Sequence, residues 1–120
     1  MKPTVQVWDG SGDGYYAELA RKQDLRERTF RSLEQLVRDL RSSARYLPTP
    51  GMIASRLVFV EELVNYLKGE KNWSIAVAGY RDLQEIGSLY VAMKNHENMV
   101  ERVCKVLKDI DEFRQVFRAA

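Results

Sequence analysis

Six residues near the start of the chain, DGSGDG at residues 9–14, carry the residue types of a calcium-binding loop. On the twelve-residue loop template, the ligand positions one, three and five and the turn glycine at position six fall on Asp9, Ser11, Asp13 and Gly14. Position twelve, which requires a bidentate glutamate, is Ala20, and Glu18 comes two residues too early. We therefore expect no specific calcium site, and the sequence predicts no other metal ion or cofactor.

The residues that could support catalysis are few and far apart. The single histidine, His96, and the single cysteine, Cys104, are separated by about 12 Å along the axis of one predicted helix. That separation is too long for a thiolate–imidazole pair, and neither residue has the neighbouring His or Cys that a zinc site needs. Glu61 and Glu62 are adjacent, so they point about 100° apart on a helix, unlike a paired acid and base. The sequence predicts a protein that is not an enzyme.

Arginines in the first third of the chain form a concentration of positive charge that is suited to binding a partner. From residue 16 to residue 45 there are eight Lys or Arg against five Asp or Glu, although the net charge of the whole chain is only +2. On a helix, four arginines of this segment share one side, which we call the arginine face: Arg28, Arg31, Arg38 and Arg45. Guanidinium groups bind carboxylates and phosphates in bidentate geometry.

Three interpretations of the arginine face follow from the sequence. The face is solvated, with Asp24 and Glu34 as its partners; it docks on an acidic protein surface; or it contacts the phosphates of a nucleic acid. The positive surplus is small and no aromatic residues interleave with the arginines, which disfavours nucleic acid. The functional hypothesis is therefore protein binding, with no nucleic-acid partner expected.

The elements that carry these residues are predicted by hydrophobic periodicity. Apolar residues recur at three- and four-residue steps in four segments, residues 16–47, 50–68, 73–94 and 97–118, which predicts four amphipathic helices. Pro48 and Pro50 break the first helix from the second, with Thr49 suited to capping and Pro50 to the first helical position. Gly69 is suited to the left-handed position after the second helix. Gly79 and Gly87 fall within the third helix, where a closely approaching neighbour would explain them.

The predicted fold class is all-α. Four helices with short connections form an antiparallel up-down-up-down four-helix bundle most economically, here over residues 15–120 and after a flexible N-terminal tail at residues 1–14. A chain of 120 residues with 45% hydrophobic and 30% charged residues is large enough for one domain with its own core. Its longest apolar runs, such as LVFV at residues 57–60, are too short to span a bilayer.

The first ten residues, MKPTVQVWDG, contain no apolar segment of the kind found in signal peptides. Two expectations follow from this feature. Either the protein acts where it is made, or Met1 stands where a targeting peptide has been removed.

Several stretches of the chain resemble the small lumenal four-helix proteins of photosystem II. They are YLPTP, FVEELVNYLKGEKNW, YRDL and LKDIDEFRQVF, and together they extend from about residue 45 to residue 117. The turn from Leu67 to Trp73 looks like the turn after a helix in PsbQ-like extrinsic subunits, and the Ile110-Asp111 pair is similar to a pair in a later helix of that family. In the related assembly factor, the third helix opens with an aromatic-Arg-Asp pattern similar to residues 80–82.

This resemblance implies a non-catalytic subunit or assembly factor that docks on the lumenal face of photosystem II and stabilises the oxygen-evolving region. It further implies a location in the chloroplast thylakoid lumen, peripheral to the membrane and not inserted in it. An arginine-bearing helix suits such a role, because complementary charge orients docking. The alternative is a cytoplasmic helical adaptor, similar to a chaperone or to a subunit of a larger protein or ribonucleoprotein assembly.

Overall fold

The computed structural model describes residues 11–45, 47 and 50–119 of the chain. Within this part the secondary structure consists of helices and turns, with no β-strand. The helices are α1 (Ser11–Ala44), α2 (Pro50–Leu67), α3 (Trp73–Ala92) and α4 (Glu97–Ala119). The predicted all-α class and the four helices are confirmed.

The helices form an antiparallel up-down-up-down bundle, as predicted. Each helix packs on the one before it in the sequence, and α4 closes the ring by packing on α1. Contacts between described side chains also cross the bundle diagonally. The hydroxyls of Ser43 in α1 and Tyr90 in α3 share a hydrogen bond of 2.6 Å, and the rings of Tyr66 in α2 and Phe113 in α4 meet edge to face at 5.6 Å.

The limits of α1 differ from those expected. The helix begins at Ser11 and ends at Ala44, whereas the sequence predicted residues 16–47. The predicted tail therefore overlaps the helix at residues 11–14, while residues 1–10 lie outside the described part of the chain. The helical backbone at Gly14 also differs from the turn that the calcium-loop template places there.

The turns that separate the helices follow the local chemistry of the sequence. Pro50 is the first residue of α2, as predicted, whereas its expected cap Thr49 lies outside the described residues. After α2, Gly69 takes the left-handed conformation (φ 86°). The amide of Gly69 donates to the carbonyl of Tyr66 at 3.0 Å, and the amide of Glu70 donates to the carbonyl of Asn65 at 2.9 Å. These two hydrogen bonds satisfy carbonyls at the end of α2.

The core consists mainly of the residues that the periodicity predicts. On α1 the buried members of the stripe are Leu33, Leu36, Val37, Leu40 and Ala44, and on α2 they are Ile53, Leu57, Val60, Val64 and Leu67. On α4, Val103, Ile110 and Phe113 are buried, while Val100 and Leu107 are only half-buried. The inward side of each helix is therefore assigned correctly. The differences fall at the edges of that side: Phe30 and Leu47, expected in the core, are half-buried, while Leu25, Leu63 and Val106 are buried without having been expected.

α1 is much longer than the other three helices. α1 has 34 residues, against 18 in α2, 20 in α3 and 23 in α4. From residue 14 onward, where burial is described, the first buried residue is Leu25, and the preceding turns include the exposed side chains of Tyr15, Tyr16 and Leu19. α1 therefore extends past the end of the core before it joins the other helices.

The closest approach between helices is that of α2 and α3 at Gly79. A Cβ atom at this position would overlap the carbonyl oxygen of Phe59 and would lie 3.2 Å from Cα of Val60. Gly87, two turns further along α3, lies against a side chain of α4 instead of backbone. A Cβ atom at Gly87 would be 3.0 Å from Cγ1 of Val103. The close approach expected from the two glycines is confirmed. At Gly79 the neighbouring atoms belong to the backbone of α2, which cannot change rotamer to make room as a side chain can.

We expect Gly79→Ala to lower the free energy of unfolding by about 2 kcal/mol, because overpacking against backbone outweighs the higher helix propensity of alanine. Urea denaturation followed by circular dichroism measures this change. Gly51→Ala is the matched control, since a Cβ at Gly51 meets nothing within 4 Å. Equal stabilities of the two variants would contradict the α2–α3 contact.

Candidate partner-binding surface

The arginine face lies on the outward side of α1. Arg31, Arg38 and Arg45 are seven residues apart, so they follow one another along the helix with only about 20° of drift per step. Arg28 begins the line, and Arg45 lies in the turn that follows the helix. All four side chains are exposed. The structure thus presents the predicted residues together on one surface.

Three of these arginines are paired within the helix. Arg31 contacts Glu27 at 2.8 Å, Arg28 contacts Asp24 at 3.6 Å, and Arg38 contacts Glu34 at 3.7 Å. In each pair the acid lies one turn before the arginine, the favoured order on a helix.

Such exposed pairs contribute little to stability and exchange readily with solvent. Among the described residues, no ion pair involves Arg45. The face is therefore a line of weakly held guanidinium groups rather than a block of uncompensated charge.

Other ion pairs fasten α1 to its neighbours on both sides of the arginine face. Arg41 contacts Glu61 of α2 at 2.7 Å, and Asp39 contacts Arg102 of α4 at the same distance. These bridges join helices, whereas the pairs of the arginine face remain within one helix. They reinforce the rotation of α1 that the burial of its apolar residues sets, with the arginine face turned outward.

The residues considered for catalysis are used structurally or stand apart. His96 immediately precedes α4, where its carbonyl accepts the amide of Val100 at 3.1 Å, and its ring meets that of Tyr90 edge to face at 5.3 Å. Cys104 is exposed on α4. Within the described ranges, no three His, Cys, Asp or Glu side chains group as a metal-binding set.

An aromatic cluster closes the opposite end of the bundle. Trp73 meets Tyr66 at 5.3 Å and Tyr80 at 5.5 Å, both edge to face, and the guanidinium of Arg114 lies 3.9 Å above its ring. The hydroxyl of Tyr80 donates to Asp111 at 2.8 Å. These contacts join α2, α3 and α4, so the cluster serves the fold.

The cluster also changes the pKa of Tyr80. The pKa of Tyr80 is raised to about 12, first by burial, then by the hydrogen bond to Asp111 and by the negative charge of that carboxylate, against a smaller lowering by Arg114. The neutral phenol is favoured in each case, because it avoids burying a charge and keeps the donor that Asp111 needs.

A second surface was not anticipated from the sequence. Between α3 and α4 runs a mainly apolar depression, the α3–α4 groove. It is lined by the apolar Gly87, Val91, Val100, Val103, Cys104 and Leu107 and by the polar Gln84 and Ser88. Val91 is 66% exposed, which is unusual for a valine beside a core. The available signal was a second apolar row on α4, Val100, Cys104 and Leu107, immediately beside the core row.

Comparison of the chain with known protein families, with curated proteins and with solved structures gives no match. In the described part of the chain, no helix has the length and apolar character needed to cross a membrane.

The raised pKa of Tyr80 predicts a loss of stability in alkali. The neutral phenol contributes stability that is fully present below pH 10 and is lost as the pH rises from about 10 to about 12. Unfolding free energies measured on either side of pH 10 should fall more steeply in the wild type than in Tyr80→Phe. In a tyrosine carbon NMR titration, Asp111→Asn should lower the pKa of Tyr80. Identical pH profiles for the wild type and Tyr80→Phe would contradict the assignment.

Proposed function

We propose that this four-helix bundle is a non-catalytic docking subunit of a larger protein assembly, and that the arginine face is its contact surface. The observation that carries the proposal is the line of exposed guanidinium groups on α1. From Arg31 to Arg45 this line extends about 21 Å, enough to meet several carboxylates of a partner. A partner of acidic surface is the chemical class that such a line recognises.

The pairs within α1 determine how such docking would work. Asp24, Glu27 and Glu34 hold their arginines loosely in solvent, so a partner carboxylate can take their place without breaking a strong interaction. Each exchange replaces one charge-assisted contact by another, so the gain in affinity is modest. The positions of the charges set orientation and the rate of encounter. The expected complex is therefore sensitive to salt.

The setting that we propose is the lumenal face of photosystem II, where the protein would stabilise the oxygen-evolving region or assist its assembly in the thylakoid lumen. Two observations support this setting: the sequence resemblance over residues 45–117 and the four-helix fold. Because four-helix bundles serve many functions, the fold supports the setting only together with the resemblance. The alternative, a cytoplasmic adaptor, would use the same face on a different acidic partner.

Neutralising the arginine face tests the proposal. We expect replacement of its four arginines by glutamine to weaken binding to photosystem II membranes by about tenfold or more, with an unchanged helical circular-dichroism signal. Sedimentation of labelled protein with membranes freed of extrinsic subunits by a salt wash measures the affinity.

The matched control removes the same charge elsewhere on the surface. It replaces four exposed basic residues by glutamine: Lys68, Lys71, Arg81 and Lys94. This control has the same net charge as the first variant but keeps the arginine face. If the position of the charges determines binding, the control should bind like the wild type. Equal binding by all three proteins would refute the role of the arginine face. Failure of every protein to bind the membranes, with retained binding to another acidic protein, would favour the adaptor.

Binding to nucleic acid is not expected. Phosphate contacts release counterions, so true nucleic-acid binding gives a steep fall of log affinity with log salt. The positive surplus around the arginine face is small and no aromatic residues interleave with its arginines, which disfavours nucleic acid. A fluorescence-anisotropy titration with a mixed-sequence RNA should show only weak binding with a shallow salt dependence. A steep dependence that disappears in the four-glutamine variant would assign the face to RNA instead.

A further inference from the structure

A depression between α1 and α4, which we call the basic cleft, is lined by basic residues and by no acidic one. Its volume is about 460 Å³. The buried side chain of Val106 forms an apolar, low-dielectric part of its wall. Such a cleft concentrates the field of its charges and favours a ligand of opposite sign. The lining residues are Arg31, Ser32 and Gln35 of α1 and Arg102, Lys105 and Val106 of α4.

The acids that pair with these bases lie at the two ends of the cleft. Each acid is one helical turn beyond a lining residue, and none of the acids lines the cavity. Because α1 and α4 are antiparallel, Glu27 and Asp109 fall at one end and Asp39 falls at the other. The bases and acids balance in number, so the attraction for an anion arises from their positions. The contacts are Arg31 to Glu27 at 2.8 Å, Arg102 to Asp39 at 2.7 Å and Lys105 to Asp109 at 3.0 Å.

The bases of the cleft keep donors for a further carboxylate. The closest contact of each pair involves one nitrogen: Nε of Arg31, Nη2 of Arg102 and Nζ of Lys105. A guanidinium and an ammonium each carry several N–H donors, so one contact does not exhaust them. The side-chain amide of Gln35 donates to Asp39 at 3.0 Å, which helps to hold that acid at its end of the cleft.

We propose that the basic cleft receives one carboxylate side chain, an aspartate or a glutamate, of the partner that docks on the arginine face. This inference rests on the proposed function, because Arg31 belongs to both surfaces. Arg102 and Lys105 extend the contact from α1 to α4. The bound carboxylate then accepts hydrogen bonds from two helices, in the charge-assisted geometry that guanidinium and ammonium groups provide.

Charge complementarity selects this occupant. Every charged residue that lines the cleft is a cation, so the ligand is an anion. The lining contains no aromatic ring on which a nucleic-acid base could stack. Through Arg31 the cleft is continuous with the arginine face, so one acidic protein surface can reach both.

The cleft supplies a fixed register, which the arginine face alone lacks. Arg31, Arg38 and Arg45 recur every seven residues, about 10.5 Å along the helix axis. A row of partner carboxylates could therefore shift by one step and still meet two arginines. A carboxylate held between α1 and α4 has a single position. The cleft thus determines the register in which the partner docks.

Amide NMR of the isotopically labelled chain with a capped hexaglutamate peptide tests the inference. The peptide should shift the amides of Ser32, Gln35, Lys105 and Val106 in addition to those of the arginine face. Lys105→Gln should raise the dissociation constant of the peptide by about threefold or more, because it removes a lining cation. Arg81→Gln is the matched control, since it removes the same charge from an exposed side chain on α3. This control should bind the peptide like the wild type.

A pair of variants separates ligand binding from the joining of helices. Arg102→Gln and Asp39→Asn break the same ion pair between α1 and α4. Because Arg102 contacts the bound carboxylate, Arg102→Gln should weaken binding of the peptide. Asp39→Asn should strengthen it, because that change removes a competing negative charge. If the pair served only to join the helices, both variants would change binding in the same direction. Urea denaturation should show similar stabilities for the two variants.

Two results would overturn the inference and leave the proposed function standing. In the first, the peptide shifts the amides of Arg38 and Arg45 but none in the cleft. In the second, Lys105→Gln binds the peptide as tightly as Arg81→Gln does. In both cases the arginine face binds the acidic ligand without the cleft. A peptide that shifts no amide on α1 would contradict the proposed function as well. Tighter binding of inorganic phosphate than of the peptide, at equal ionic strength, would assign the cleft to a phosphate ligand and overturn the inference.

Discussion

The burial of one apolar stripe on α1 is the constraint on which the rest of the structure depends. This stripe, from Leu25 to Ala44, packs against α2 on one side and α4 on the other, so it fixes the rotation of the helix that both neighbours share. The bridges from Arg41 and Asp39 to those neighbours reinforce the same rotation. Once it is fixed, the arginine face must point to solvent, because residues 28, 31, 38 and 45 lie away from the stripe. Stability and the proposed docking are thus two consequences of one periodic pattern.

The two ends of the bundle are closed by different means. At one end, Ser43 and Tyr90 share a hydrogen bond between diagonal helices, which satisfies both hydroxyls at the edge of the core. At the other end, aromatic rings and the guanidinium of Arg114 pack around Trp73, which supplies large apolar area together with favourable ring and cation contacts. Between them, Gly79 allows α2 and α3 to approach with backbone against backbone. The Ser43–Tyr90 pair and the contacts around Trp73 therefore serve the fold.

Helix periodicity was sufficient to predict the fold class, the order of the helices and most of the core, because three- and four-residue spacing records which side of each helix is buried. It was also sufficient to place the arginine face, since residues seven apart share a side of any helix. The start of α1 was missed because the glycines at residues 12 and 14 have low helix propensity, and context overrode it. The α3–α4 groove was missed for a different reason. Its shape depends on how far apart α3 and α4 lie at Gly87. That distance is set by the packing of the two helices together and cannot be predicted from the periodicity of either helix alone.

In the proposed docking, the arginine face contacts an acidic protein surface, and a spin label beside the face reports that contact. Ser42 is exposed between Arg38 and Arg45, and Ser55 is exposed on α2. In Cys104→Ser protein, a nitroxide attached at Ser42→Cys or Ser55→Cys reports local motion by electron paramagnetic resonance. If the arginine face docks there, salt-washed photosystem II membranes will immobilise the label at position 42 and leave the label at position 55 mobile, and the immobilisation will disappear at high salt. A label at position 42 that stays mobile while the protein is bound would show that the arginine face is not the docking surface.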